Sequence, residues 1–337
     1  MTVHDAAERA APILVLGAGA WGTALALVAA RAGHRVYLWG RDPMQVANLV
    51  RARENARYLP GISLPELIAP IADLAALPSP LTTAILAVPL RATRDAVDYA
   101  VGHGVRDFAC AAKGMEPASE LLVHEIVRSI APHTTVALLS GPSFAREVAL
   151  GRPTAITVAA STPAFGQALV YALHGPGFRP YLSDDLLGVA VGGAVKNVLA
   201  IAAGIADGLG LGVNSRAALI TRGLAEIARF GVKLGGRHET FMGLSGLGDV
   251  VLTCTDDQSR NRRFGLALGR GATVAAAHVE VGLAEGVATS IAVAARAAQL
   301  GVDMPITVEV ARAVRGETTP AQAVQNLLAR ELPKPYG

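Results

Sequence analysis

One hexapeptide constrains this chain more than any other feature. Gly17-Ala18-Gly19-Ala20-Trp21-Gly22 is a G-x-G-x-x-G that follows the apolar run Ile13–Leu16 and opens an alanine-rich stretch at residues 23–32, with Gly33 as its stop. A strand running through a glycine turn into a helix is what a dinucleotide site requires. Gly17 permits the tight turn, Gly19 lets a pyrophosphate approach the backbone, and Gly22 lets helix pack closely on strand. The phosphates then sit on the positive end of the helix.

The sequence that follows keeps alternating. Strand-like runs at residues 35–39, 82–88, 107–111, 135–139, 155–159 and 178–182 are interleaved with helix-like stretches at 44–54 and 92–101. Such alternation predicts right-handed βαβ units and a parallel sheet. From residue 184 the period turns helical, through 186–205, 216–231, 248–254, 290–300 and 320–329, with no convincing strand. The expected architecture is an α/β N-terminal Rossmann-like, doubly wound parallel sheet at residues 11–182, followed by an all-α C-terminal domain at 183–335. A chain of 337 residues is long enough for two cores, and a cleft between them is the natural place for a ligand.

Composition removes several function classes. With 52% hydrophobic and 17% charged residues the chain buries enough apolar surface to fold. A net charge of +3 carried by scattered arginines makes no nucleic-acid face. Two cysteines, Cys110 and Cys254, are too few for a disulfide framework and point to a reducing cytoplasm. The most apolar stretch, residues 188–213, contains Lys196, Asn197, Asp207 and seven glycines, which suits a buried helix better than a bilayer. The acidic start of the chain does not resemble a signal peptide. A cytoplasmic protein with no membrane span is expected.

The end of the second strand tests the cofactor. An NAD-preferring site usually carries an acid there for the ribose hydroxyls. Here the residues are Trp39-Gly40-Arg41-Asp42. Gly40 removes bulk and Arg41 suits a 2′-phosphate, so NADP(H) is favoured; Asp42, one residue on, keeps NAD(H) open.

Polar residues then appear where neither a core nor a surface asks for them. Lys113, in Lys113-Gly114-Met115-Glu116, follows a strand and so stands on the carboxyl edge of the sheet, where ligands of such folds bind. Leu139-Ser140-Gly141-Pro142-Ser143-Phe144-Ala145 also follows a strand and offers small groups and backbone amides to a ligand. Lys196 and Asn197 interrupt the apolar helix, and a lysine there is costly unless it faces a carboxylate or a polar cavity. Only four of the 30 basic residues are lysines, and two of those four occupy these Gly-flanked motifs. Lysine can release and retake a proton, whereas arginine stays charged. Asp249 sits among apolar residues and needs a counter-charge. Ser259-Arg260-Asn261-Arg262-Arg263 reads as the mouth of a helix whose hydroxyl, amides and guanidinium groups suit a phosphate monoester. No histidine joins a metal-spaced cluster and no metal is expected. Cys254 has no histidine in a recognisable arrangement and reads as a buried structural thiol.

Taken together, these residues resemble the bacterial NAD(P)-dependent glycerol-3-phosphate dehydrogenases over nearly the whole chain. The resemblance rests on GAGAWGTALA, LWGRD, RYLPG, AVP with Arg94 six residues after Val88, KGME and LSGPSFAREVALGRPTA. It continues through GGAVKN, DGLGLGVNSRAALITRGL, GLGDVVLTCTDDQSRNRRFG and MPI at residue 304. It implies reversible hydride transfer between NAD(P)H and dihydroxyacetone phosphate, giving sn-glycerol 3-phosphate for glycerophospholipid synthesis. It implies Lys196 as proton acceptor in oxidation and donor in reduction, with Asp249 orienting it and Lys113 helping to stabilise the oxygen. Lys113, Gly141, Ser143, Lys196, Asn197, Asp249, Thr253, Ser259, Arg260 and Asn261 would hold the substrate. Gly17, Gly19, Ala20, Trp21, Gly22, Arg41, Lys113, Ala145, Arg260, Leu283 and Glu285 would meet the cofactor. Two departures stand out: Ala190 replaces a bulkier polar residue, and Leu90-Arg91 replaces the commoner Ser-His after Val88-Pro89.

Burial and Lys113 would lower the pKa of Lys196 while Asp249 would raise it, a contest the sequence leaves open. Two rival readings also remain: a related two-domain dehydrogenase acting on a 3-hydroxy acid or sugar acid, and a non-catalytic NADP(H)-sensing module. The alanine-rich helical region leaves room for a homodimer face.

Overall fold

The computed structural model describes residues 11–330, so residues 331–335 of the expected helical domain lie outside it. The chain opens with β1 (Ile13–Leu16), α1 (Ala20–Arg31), β2 (Val36–Trp39), α2 (Pro43–Ala52) and β3 (Ile68–Ile71). It continues with β4 (Thr83–Leu86), α3 (Thr93–Gly102), β5 (Asp107–Cys110), α4 (Val123–Ile130) and β6 (Thr135–Ser140). Then come α5 (Ala145–Ala149), β7 (Thr154–Ala160), α6 (Pro163–Leu173) and β8 (Phe178–Ser183). The eight strands form one sheet in the order β3-β2-β1-β4-β5-β6-β7-β8. The order reverses between β1 and β4, the switch point at which doubly wound sheets open a crevice beyond the carboxyl ends of their strands.

Alternate strand residues feed two cores. Leu14, Leu16, Ala84, Leu86, Phe108, Cys110, Val136 and Leu138 pack on one face. Val15, Ile85, Ala109, Ala137 and Leu139 pack on the other, against α1. Strands buried on both faces read as continuous apolar runs, which is why most of them were legible.

Two features depart from expectation. The sheet is not wholly parallel: β7 runs antiparallel to β6, with Ser140 opposite Thr157, while β8 is parallel to β7. The link from β6 to β7 holds only the five-residue α5, which packs beside α1 and does not carry the chain back across the sheet. An edge strand, β3, was also missed. Pro70 within it removes a backbone donor, which an edge tolerates and which hides the strand in the sequence.

The remainder is helical. α7 (Leu186–Gly208) is followed by α8 (Gly212–Leu234), α9 (His238–Met242), a π-helical turn (Leu244–Gly248), α10 (Asp249–Thr255) and α11 (Arg260–Gly269). α12 (Val274–Val281), α13 (Glu285–Gln299), α14 (Pro305–Val314) and α15 (Pro320–Leu328) complete it. Among the described residues α7 is the one helix long and apolar enough to cross a membrane, but 89% of its most apolar window is buried inside the fold. It is the central post of the helical domain. Its side chains share one hydrophobic core with the first face of the sheet, from Leu14 through Val195 to Val314.

Candidate functional site

The glycine turn behaves as the sequence suggests. Gly17 has φ +118°, and a Cβ there would lie 2.7 Å from the Ala87 carbonyl oxygen. A Cβ at Gly22 would collide with the carbonyl of Gly17, whereas one at Gly19 would meet nothing within 4 Å. Gly19 is the N-cap of α1 and supplies no side-chain cap, so the first amides of the helix are left to an anion. The turn is braced from behind, where Gln45 Nε2 and Asn55 Nδ2 donate to the Ala18 carbonyl at 2.8 and 3.1 Å. These observations fit a dinucleotide. Ala20 and Trp21 are half-buried at the same helix start.

The end of the second strand is tightly packed. A Cβ at Gly40 would lie 2.9 Å from Val46 Cγ2 and 3.2 Å from Ala18 Cβ, so any side chain there would require Val46 to shift. The Asp42 carboxylate accepts from the amides of Met44 (3.0 Å) and Gln45 (3.4 Å) as the N-cap of α2. Arg41 is exposed.

A buried polar centre forms where α7, α10 and the end of β5 meet. Gly192 on α7 has no side chain, and a Cβ there would lie 2.5 Å from the Ser245 carbonyl oxygen. The π-turn can therefore seat directly on α7, which brings Asp249 to Lys196. Such turns recur at functional sites. Lys196 Nζ donates to Asp249 Oδ1 and, at 3.0 Å, to Thr253 Oγ1. Lys113 Nζ donates to the other carboxylate oxygen, Asp249 Oδ2, at 2.5 Å. The Thr253 hydroxyl donates to the Asp249 carbonyl at 2.5 Å, which leaves its lone pairs toward Lys196. Asn197 is buried beside Lys196.

Two ammonium groups thus share one carboxylate that is 1% exposed. Burial pushes the Lys196 pKa down and outweighs the upward pull of Asp249; Lys113 adds to the fall, and the value drops to about 8. Burial alone would raise the Asp249 carboxyl, but the two lysines hold it below the usual carboxylate range. Burial pushes the Cys254 thiol up to about 12, so this cysteine is an inert packing group.

Further supports come from residues whose role the sequence did not suggest. Glu116 accepts from Arg94 at 2.6, 2.9 and 3.2 Å, fixing the segment that presents Lys113. Ser140, at the end of β6, is buried, and its hydroxyl has no partner among the described residues. A Cβ at Gly193 would lie 3.0 Å from that hydroxyl and 3.5 Å from Lys113 Cδ, so Gly193 makes room for both. The doublet Gly192-Gly193 was the available signal. Ser143 Oγ donates to the Gly141 carbonyl at 2.9 Å, and Ala145 is half-buried at the start of α5.

At the helix mouth, Ser259 caps α11 by accepting from the Arg262 amide at 3.2 Å. Asn261 Oδ1 accepts from the Gly286 amide at 2.9 Å. Arg260 is exposed, and its side chain has no hydrogen-bond partner among the described residues. Arg262 corrects the sequence reading. It does not face the helix mouth but is 8% exposed and paired with Asp207 and Asp257. The Glu285 carboxylate accepts from the Leu90 amide at 3.3 Å, joining the two domains, and burial raises its pKa. Leu283 is half-buried just before it. Among the described residues no group of three His, Cys, Asp or Glu is arranged to hold a metal ion.

Comparison with known proteins returns a consistent picture. Residues 12–166 match the family model for the NAD-dependent glycerol-3-phosphate dehydrogenase N-terminus, and residues 185–325 match that for the C-terminus. A curated glycerol-3-phosphate dehydrogenase [NAD(P)+] from Thioalkalivibrio sulfidiphilus is 51% identical over 95% of this chain and 97% of its own length. One from Xanthomonas euvesicatoria is 49% identical over 96% of each. The crystal structure of glycerol-3-phosphate dehydrogenase from Coxiella burnetii superposes with a TM-score of 0.91 at 45% identity, covering 96% of this chain and all of that one.

Proposed function

Since the chain belongs to the NAD-dependent glycerol-3-phosphate dehydrogenase family, we propose that Lys196, Asp249 and Lys113 carry its proton chemistry. The protein is an NAD(P)-dependent oxidoreductase of glycerol 3-phosphate, and its product serves glycerophospholipid synthesis. The substrate pair in this reading is dihydroxyacetone phosphate and sn-glycerol 3-phosphate, and the observation that carries it is the buried Lys196–Asp249–Lys113 network.

When bound, the dinucleotide supplies or accepts the hydride; its pyrophosphate would rest on the amides that follow Gly19, and a 2′-phosphate on Arg41. Every other role falls to the chain. Ser259, Arg260 and Asn261 seat the substrate phosphate, and holding that end turns a collision into an oriented encounter. In reduction, charge grows on the ketone oxygen, and Lys196 donates a hydrogen bond and then a proton to it. In oxidation, neutral Lys196 takes the hydroxyl proton. A pKa of about 8 lets the group serve both directions near neutrality. Asp249 fixes the direction of the ammonium, and Lys113 adds positive charge beside the oxygen. Gly141, Ser143, Asn197 and Thr253 would add substrate contacts, while Trp21, Ala145, Leu283 and Glu285 would complete the cofactor side.

NADP(H) is the favoured cofactor, supported by the exposed Arg41, the tight surroundings of Gly40 and the engaged Asp42. A domain boundary after residue 182 is supported by the close of the last strand at Ser183 and the start of the first long helix at Leu186. Free thiols at Cys110 and Cys254 support a cytoplasmic location. Exposed Leu211, Val213, Leu247 and Val251 on the helical domain support a homodimer.

The test follows nucleotide absorbance with NADPH and then NADH, offering dihydroxyacetone phosphate, unphosphorylated dihydroxyacetone and 3-hydroxy acids. Strong preference for the phosphate ester with NADPH is expected. Equal turnover of the unphosphorylated ketone, or faster turnover of a hydroxy acid, overturns the substrate assignment.

A further inference from the structure

Arg262 follows Arg260 by two residues on α11 yet points into the protein. Its guanidinium is held from three sides: Nη2 donates to Asp207 Oδ2 at 2.6 Å, Nε to the Cys254 carbonyl at 3.1 Å, and Nη1 pairs with Asp257. Asp207 lies in the last turn of α7, the helix of Lys196, and also accepts from Arg216 at 2.8 Å. Cys254 belongs to α10, the helix of Asp249. One planar cation therefore ties the start of α11 to both helices that carry the lysine–carboxylate pair.

The helix backbones reinforce the link. A Cβ at Gly204 on α7 would collide with the Arg262 carbonyl, and one at Gly265 on α11 would collide with the Ile201 carbonyl. Direct backbone contact leaves α11 little freedom to slide along α7. From the same turn, Asn261 reaches the Gly286 amide, and a Cβ at Gly286 would lie 2.5 Å from the Asn197 carbonyl oxygen.

Stability is a poor explanation for this arrangement, because apolar residues of similar volume often stabilise a core as well as a buried ion pair does. A rigid guanidinium fork supplies direction. We propose that Arg262, acting through Asp207, is a positioning residue that holds the Ser259–Arg260–Asn261 phosphate grip at a fixed offset from Lys196. The reacting oxygen then reaches the lysine only when the phosphate is seated. This inference rests on the reading of Arg260 and Asn261 as phosphate ligands.

The experiment compares Arg262→Lys and Asp207→Asn with Arg260→Ala in the full-length enzyme, measuring KM and kcat for dihydroxyacetone phosphate and for dihydroxyacetone. Lysine keeps the charge but cannot reach Asp207, Asp257 and Cys254 together. Both network variants should raise KM for the phosphate ester by about tenfold or more, with kcat/KM for dihydroxyacetone within about twofold of wild type. Should Arg262→Lys fail to fold, Asp207→Asn carries the same comparison. Equal loss on both substrates would mark the network as merely structural and overturn the inference. So would an unchanged KM in the network variants when Arg260→Ala raises it. An unchanged KM in Arg260→Ala sinks the phosphate assignment itself, and the inference with it.

Discussion

Replacing Asp249 by Asn tests the electrostatics of the centre most directly, because shape is kept and one charge is removed. The carboxylate touches both ammonium groups, with Lys113 at 2.5 Å, and is the group that raises the Lys196 pKa against burial. At a pKa of about 8, roughly 90% of Lys196 carries its proton at pH 7. Losing a contacting opposite charge moves a pKa by about 1–3, here downward. A fall to about 6 would leave about 10% protonated at pH 7, roughly ninefold fewer competent proton donors. The assay is kcat for reduction of dihydroxyacetone phosphate at saturating NADPH, followed from about pH 5 to about pH 10. Wild-type reduction should decline as pH rises through about 8, and the Asn variant should decline at lower pH. Oxidation, which needs the neutral amine, should rise with pH over the same windows. A reduction limb that stays in place or moves upward would refute the argument. Stability gives a second reading. Lys196 binds its proton less tightly folded, at about 8, than unfolded, at 10.5. The unfolded chain therefore holds more protons between those values, and this group's contribution to stability rises with pH across them. In the Asn variant that window should extend downward, with a lower melting temperature below it.

Lys196→Ala should reduce kcat by about 10²–10⁴-fold while leaving NADPH affinity unchanged by fluorescence titration; near-normal turnover would remove the lysine from the chemistry. Arg41→Ala should raise KM for NADPH by about tenfold, equivalent to about 1.4 kcal/mol, with KM for NADH unmoved. Glu226 is 2% exposed and accepts from the Ile306 amide at 2.7 Å and the Thr307 amide at 3.2 Å, anchoring the start of α14. Glu226→Gln should therefore lower stability by about 1–3 kcal/mol in denaturant titration and leave both kinetic constants intact; a kinetic effect without a stability loss would contradict that role.

The legible parts of the fold are those where burial imposes a pattern. Strands enclosed on both faces, such as Asp107–Cys110, appear as apolar runs, and α7 appears as a long apolar stretch broken by Lys196. The missed edge strand Ile68–Ile71 is short, half-covered and contains a proline, so its pattern is weak. The reversed direction of β7 depends on where the short α5 packs, which the sequence of either strand does not encode. At the site, Lys196 and Asp249 stood out as charges in apolar surroundings, and each was read as needing the other. Arg262 was misassigned because neighbours on a helix look alike in sequence. Its burial depends on Asp207, which lies 55 positions away along the chain. Ser140 lay within the segment that stood out after the sixth strand, but nothing in that segment marked its hydroxyl for a role of its own.

The shared core that runs from the first strand into the last helices has a consequence for how this molecule moves and fails. Two lobes joined by a thin, wet seam can hinge as rigid bodies and melt one after the other. Here the oily side of the nucleotide lobe is the packing partner of the long central post, and Val195, immediately before Lys196, lies within that shared interior. Large rotations of one lobe against the other would tear this seam open, so whatever closes around a ligand must be drawn from surface loops and helix tips. Heat should take the whole assembly apart in one step, and a fragment cut after the eighth strand would present a broad greasy face to water.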